Sequence, residues 1–450
     1  MARSHAVYEC SACGAQSPKW LGRCPECNAW NTLVESQARP ASGKRPAATR
    51  LPQPLRSLSV EQAPRLSTGL RELDRVLGGG LVPGGVVLIG GEPGIGKSTL
   101  LMQVLIAMAG AGQPVLYVTS EESASQVALR SQRLGSAKAA MLLATTELAE
   151  VQAALDAERY ALVVIDSIQT LRSADLQSSP GSVAQLREVA ARLTDQAKQS
   201  DAAMFLIGHV TKDGALAGPK VLEHLVDVVL AFEGDNTQAY RIVRGQKNRF
   251  GPTHEVGVFE MVVEGLREVS DPSALFISER PERAAGSVVV PIAEGSRPML
   301  VEVQALVAPA QYGAPRRVVT GLDANRLALL LAVLQRKASV HVLDQDVFAA
   351  VAGGMRAEEP AVDLAVCAAV VSALRERPLA PGVLAFGEVG LTGELRAVPR
   401  AGVRVAEARK LGFTRIVLPK ANAEQLGAAE RAGIELLPAS SLDAALALLF

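Results

Sequence analysis

The sequence predicts an α/β fold: a parallel-sheet core, a small cysteine-rich module before it and a second α/β domain behind it. Three observations carry that expectation. Four of the five cysteines fall within residues 10–27 as two Cys-x-x-Cys pairs. Short aliphatic runs such as VVLIG, VLYV, LVVID and MFLIG then alternate with helical stretches, the pattern of strands buried on both faces. After about residue 275 a second alternation begins. A length of 450 residues is room for about three domains. We place the boundaries at 1–33 (cysteine module), 34–65 (linker), 66–272 (core) and 273–450 (second α/β domain). Lys+Arg and Asp+Glu both number 46, which excludes a globally basic coat and leaves room for a local basic lining. MARSHAVYEC carries no apolar h-region, and the longest apolar runs are too short and too rich in Gly and Pro to span a bilayer. A soluble, cytoplasmic protein is expected.

In CSACGAQSPKWLGRCPEC the cysteines stand at Cys10, Cys13, Cys24 and Cys27. Each pair can deliver two thiolates from one tight turn, and two pairs complete a tetrahedral site for a structural zinc. Two disulfides would need an oxidising compartment, and a redox Cys-x-x-Cys needs no second pair. Trp20 and Trp30, the only tryptophans, are expected to pack around the metal. Cys367 lies in an Ala/Val run and reads as core. Residues 34–65, rich in Pro, Ala, Ser, Gln and Arg, read as a flexible, mildly basic linker.

GEPGIGKS, from Gly91 to Ser98, follows the strand VVLIG and precedes the helical run LLMQVLIAMA. That is the full P-loop pattern in its required setting. Its residues Gly91, Glu92, Pro93, Gly94, Ile95 and Gly96 turn backbone amides toward phosphate oxygens, which a side chain in place of glycine would block. Lys97 reaches the β- and γ-phosphates of ATP, the Ser98 hydroxyl ligates Mg²⁺, and Thr99 completes the nucleotide segment. ALVVIDSIQ ends a strand in Asp166, placed to hold Mg²⁺. PVLYVTSEES brings Glu121 and Glu122 to the carboxyl edge of the sheet, where ligands of such sheets bind. One can activate the attacking water, while the other can be an acidic helix cap. AMFLIGH ends a strand in His209, either a γ-phosphate sensor or a structural histidine.

LDRVLGGGLVPGG, the SEES strand, IDSIQ and GHVTKDGALAGPKVLEH together resemble the RecA-type ATPase core. With the four-cysteine module and the KNRFG stretch, the whole chain is similar to the bacterial DNA-repair family of RadA, also called Sms. The resemblance implies a DNA-dependent, Mg-ATP-hydrolysing motor that forms a ring, six-membered in the family, with helicase-like movement on single-stranded DNA. It further implies branch migration of recombination intermediates alongside the RecA recombinase, and it puts Glu121 rather than Glu122 at the water-activating position. In the family, ATP lies between neighbouring subunits and the KNRFG motif projects toward the neighbour's nucleotide. That assigns Lys247 and Arg249 as trans-acting fingers, which stabilise charge on the transferred phosphoryl. Contact with DNA phosphates is the other use of the same cations. Segments 174–185 and 211–220 correspond to the loops that grip single-stranded DNA in RecA-like proteins, with Lys212 and Lys220 as basic candidates. An ATP-gated recombinase-binding factor that unwinds nothing is the alternative function.

GLTGELRAVPRAGVRVAEARKLGF is similar to the proteolytic domain of Lon, which uses a Ser–Lys pair. Matching the Lon stretches puts Ala361 at the serine position and Arg404 at the lysine position. A methyl group cannot attack a carbonyl, and a guanidinium stays protonated. The expectation is a Lon-protease-like α/β platform without proteolysis, with Arg316, Arg317 and Arg326 as either a DNA-facing surface or solvated charge.

Overall fold

The computed structural model describes residues 6–10, 16–17, 19–25, 30–37, 64–135, 139–209, 220–234, 240–253, 255–278, 280, 283–310 and 313–450. The chain divides into two compact units, Met1–Asn236 with Arg241–Glu268, and Thr237–Tyr240 with Val269–Phe450. Among the described residues no helix is long and apolar enough to cross a membrane.

The first unit opens with a three-stranded antiparallel sheet in the order β2-β1-β3, formed by β1 (Ala6–Cys10), β2 (Gln16–Ser17) and β3 (Leu33–Gln37). Its main body is one nine-stranded sheet. The strands are β4 (Val86–Gly91), β5 (Val115–Thr119), β6 (Met141–Ala144), β7 (Leu162–Asp166) and β8 (Ala203–His209). β9 (Val228–Glu233), β10 (Tyr240–Asn248), β11 (Val256–Val262) and β12 (Gly265–Glu268) continue it. Their order is β12-β11-β10-β9-β4-β8-β7-β5-β6. The run from β9 to β6 is parallel, and β10 turns back antiparallel on β9.

Period-2 alternation explains how β4 serves two cores at once. Val87 and Ile89 enter one cluster, with Leu73 of α1 (Arg71–Leu77) and with Leu100, Leu101 and Leu105 of α2 (Lys97–Gly110). Val86 and Leu88 enter the opposite cluster. There they meet Leu148 and Val151 of α4 (Leu148–Ala157) and Leu186, Val189 and Leu193 of α5 (Val183–Ser200). Each of these leucines stabilises the layer by roughly 1.5–3 kcal/mol on burial. α3 (Ala124–Arg133) follows β5, and its start is fixed by a Ser123–Gln126 capping box. The short α6 (Lys220–Leu225) leads into β9.

In the second unit β13 (Ser287–Glu294), β14 (Arg297–Pro309), β15 (Arg317–Thr320) and β16 (Gln345–Val351) form a sheet in the order β13-β14-β16-β15. β17 (Val383–Ala385), β20 (Arg415–Pro419) and β21 (Glu435–Ala439) form a parallel sheet, and β18 (Glu388–Val389) pairs with β19 (Leu395–Arg396). The helix Asp363–Leu374 is apolar nearly all round and is buried over most of its length, as expected of a central helix. Cys367 lies within it, fully buried, its thiol pushed well above the usual range by burial. The amphipathic helix Ala324–Lys337 and the strands read from GSVVVPIAEGSRPMLVEVQALV and TRIVLP occur where the sequence indicates.

The two tryptophans correct one expectation. Trp20 is 55% and Trp30 69% exposed, and Arg23 lies over the Trp30 ring at 5.7 Å. The described part of the ribbon interior is only Cys10, Cys24 and Leu33 with Tyr8 against them, too small to enclose two indoles.

Candidate nucleotide site

The P-loop leaves β4 at Gly91 and enters α2 at Lys97. A Cβ at Gly91 would stand 2.6 Å from the Phe232 carbonyl oxygen, and Gly96 caps the helix at φ +116°. Only glycine meets both demands. Lys97 is 4% exposed; its ammonium donates to the carbonyls of Gly91 at 2.7 Å and Glu92 at 2.8 Å. Burial lowers its pKa to about 8, against the opposing pull of Asp166, Glu121 and Glu92. Ile95 is buried and its carbonyl accepts from Arg241 Nε at 3.1 Å, while Glu92, Pro93 and Gly94 form an exposed crest. Ser98 and Thr99 are half-buried in the first turn of α2.

The neighbouring strand ends bring the other candidates together. Asp166, buried, closes β7, and the peptide to Ser167 is cis. The Tyr117 hydroxyl donates to Asp166 Oδ2 at 2.5 Å. Glu121 and Glu122 follow β5 and have different surroundings. Glu122 is held by the Arg130 guanidinium, and its amide donates to Thr119 Oγ1 at 3.1 Å. Glu121 is exposed and accepts from the Ser167 hydroxyl. His209 ends β8 with its backbone opposite Gly91. Its side chain, Lys212, the side chain of Lys220, Cys13 and Cys27 lie outside the described residues.

KNRFG lies at the other end of the sheet. Asn248 is in register with Val228 and, through it, with Val87, while the Arg249 amide donates to the Asp227 carbonyl at 3.1 Å. Gly91 lies four residues beyond Val87 on β4, on the order of 13 Å along a strand. Lys247 and Arg249 therefore do not meet the P-loop of their own chain. Lys247 Nζ donates to the carbonyls of Glu223 (2.5 Å) and Val226 (2.8 Å). Burial and the nearby Arg249 lower its pKa, with Asp227 and Glu223 opposing. Arg249 pairs with Asp227 Oδ1 at 3.1 Å and is 49% exposed.

Segment 174–185 emerges between β7 and α5. Buried Gln185 clamps it, donating to the carbonyls of Ser173, Leu176 and Ser178 at 3.1 Å each. Tyr117, Arg130, Gln185 and Asp227 escaped the sequence reading. Only Tyr117 offered a signal there: a hydroxyl in an otherwise aliphatic strand must find a partner.

The donor sets suit the metals the motifs imply. The Ser98 hydroxyl and the Asp166 carboxylate are hard oxygen donors of the kind Mg²⁺ takes. Cys10 and Cys24, one from each Cys-x-x-Cys pair, come together in one buried cluster, as a shared thiolate site requires.

In the second unit Ala361 is buried in the turn Pro360–Val362. Arg404 is 0% exposed. Its guanidinium makes two bonds to Glu359, at 2.7 and 2.6 Å, and further bonds to the carbonyls of Pro291 (2.5 Å) and Pro399 (3.2 Å). Arg326 is tied to buried Asp363 and Arg316 to Asp346 at 2.9 Å, while Arg317 donates to the carbonyls of Arg316, Leu343 and Gln345. The arginine surface anticipated from sequence thus has most of its charge engaged within the fold.

The fold and the P-loop define a RecA-like ATPase carrying an N-terminal zinc ribbon and a C-terminal ChlI/Lon-like domain. Family models agree: "AAA domain" matches residues 51–215, "Rubredoxin metal binding domain" 8–35 and "Subunit ChlI of Mg-chelatase" 333–422. The chain is 52% identical over 456 residues to DNA repair protein RadA of Pseudomonas aeruginosa, covering all of both chains. It is 46% identical over 454 residues to that of Bacillus subtilis, covering 99% of each. Among solved structures, a KaiC-like protein of Pyrococcus horikoshii aligns over 46% of this chain and 99% of its own, with a TM-score of 0.40 and 22% identity. The chain belongs to the RadA family of DNA repair proteins, and is a DNA repair ATPase.

Proposed function

We propose that this protein is a ring-forming, DNA-dependent ATPase with helicase-like movement on single-stranded DNA, promoting branch migration in recombinational repair beside the RecA recombinase, in the cytoplasm. The observation that carries the reading is the placement of KNRFG about 13 Å along the sheet from its own P-loop. Cations there serve a phosphoryl group only if the phosphoryl belongs to a neighbour. In this reading Arg249 exchanges Asp227 for the neighbour's γ-phosphate, and Lys247 follows from its carbonyl cradle.

The roles within one subunit follow from chemistry. Lys97 leaves two neutral carbonyls for the β- and γ-phosphates. Glu121, exposed at the end of β5 beside Ser167 while Arg130 holds Glu122, orients the attacking water, and His209 senses the γ-phosphate. Ser98 and Asp166 would hold Mg²⁺, which would neutralise phosphate charge when bound. Loops 174–185 and 211–220, with Lys212 and Lys220, line the path of the single strand. The ribbon's four cysteines hold a structural Zn²⁺. The second domain acts as a platform without proteolysis, since Ala361 lacks a nucleophile and Arg404 is locked to Glu359.

Doping Arg249→Ala subunits into wild type tests the shared site. Hydrolysis is expected to fall more steeply than the wild-type fraction. A strictly proportional fall refutes the trans role. If single-stranded DNA affinity also drops, the cation belongs to DNA contact instead.

A further inference from the structure

We propose that Tyr117 is a positioning residue for the metal-binding acid: its hydroxyl, backed by the Arg130 guanidinium, fixes one oxygen of Asp166 so that the other is presented to Mg²⁺. The register makes the contact. Thr119 of β5 lies opposite Asp166 of β7, and Tyr117 opposite Val164. Tyr117 and Asp166 are therefore diagonal neighbours on one face, about 7–8 Å apart at their backbones and within reach of an aromatic side chain. The ring is 1% exposed in the core beneath, and its hydroxyl meets Oδ2 at 2.5 Å.

Arg130 approaches the same oxygen. Its Nη1 stands 4.0 Å from Oδ2, shielded from solvent and without a hydrogen-bond partner among the described residues. Its Nη2 holds Glu122. Both groups thus converge on Oδ2, whereas among the described residues no group donates to Oδ1. A carboxylate rotates freely about its last bond until one oxygen is claimed. Once Oδ2 is bonded, the plane is set and the metal is offered a single oxygen. Outer partners of this kind, when removed, cost metal sites roughly 10–100-fold in affinity or activity.

The inference rests on Asp166 being the metal-binding acid, so the experiment includes Asp166→Asn. The full-length protein is titrated with Mn²⁺ beside a non-hydrolysable ATP analogue, and free Mn²⁺ is read by electron paramagnetic resonance. Tyr117→Phe keeps the ring and its packing; the Mn²⁺ dissociation constant is expected to rise about tenfold. Arg130→Met, which removes the more distant charge and also releases Glu122, is expected to raise it less, by about threefold. A constant within twofold of wild type in folded Tyr117→Phe overturns the proposal. If that variant does not fold, an unchanged constant in Arg130→Met overturns it. Should Asp166→Asn leave Mn²⁺ binding intact, the metal assignment itself fails. Should Asp166→Asn weaken it and Tyr117→Phe not, only the positioning role fails.

Discussion

Lys97 and Arg404 are both buried cations, and they are held in opposite ways. Lys97 sits against two neutral carbonyls, with carboxylates nearby but none bonded to it among the described residues, and its pKa falls to about 8. Arg404 is bonded at both ends of its fork to a carboxylate and braced by two more carbonyls. A cation with only neutral partners loses little when phosphate replaces them; one stapled to a counter-charge cannot leave without stranding it. The first arrangement suits exchange and the second suits a fixed interior.

Three measurements break or sharpen that contrast. The largest effect is expected from Glu359→Ala. It leaves a guanidinium unpaired in the interior, so the second unit is expected to lose about 3–5 kcal/mol, read by hydrogen exchange of the β13 and β14 amides. Exchange within experimental error of wild type would show that Arg404 is less committed than its geometry indicates. The double change Glu359→Met with Arg404→Met is expected to recover most of the loss, because paired apolar residues replace a buried ion pair at little cost. Lys97→Ala comes next: hydrolysis is expected to fall about 10²–10³-fold while the melting of the first unit barely moves. A large stability loss there would make Lys97 a structural cation too.

The smallest effect concerns pH. Lys97 has a lowered pKa of about 8 in the free protein, and bound phosphates restore it toward its ordinary value. Only the protonated form binds well, so ATP affinity is full below pH 8 and weakens as pH rises through it. Binding near pH 9 is expected to be about tenfold weaker than at pH 7 and to take up a proton, measurable by calorimetry in buffers of different ionisation enthalpy. Affinity that is flat across this range would remove the distinction between the two cations.

What the sequence disclosed and what it withheld divide along the same line. The P-loop was legible because glycine spacing, strand and helix lie within one short stretch. Asp166 and the two glutamates were legible because polar residues closing aliphatic runs must sit at the sheet edge. Glu359, Arg130 and Gln185 were not, since each acquires its role from a partner that only the tertiary fold supplies. The antiparallel extension β10–β12 was also hidden, as an alternating run does not say which neighbour it will take. The tryptophans misled for a physical reason: hydrophobic bulk argues for burial only where an interior exists to receive it.

The placement of β4 has a consequence for how the chain is made. Both its neighbours, β8 and β9, begin more than a hundred residues downstream, at Ala203 and Val228. On a ribosome adding roughly 5–20 residues each second, the segment that will cradle nucleotide stays without flanking strands for on the order of 10 s after it is synthesised. During that interval its aliphatic stretch is open to wrong pairings, and a nascent chain stalled before Glu233 has no completed pocket to offer a nucleotide.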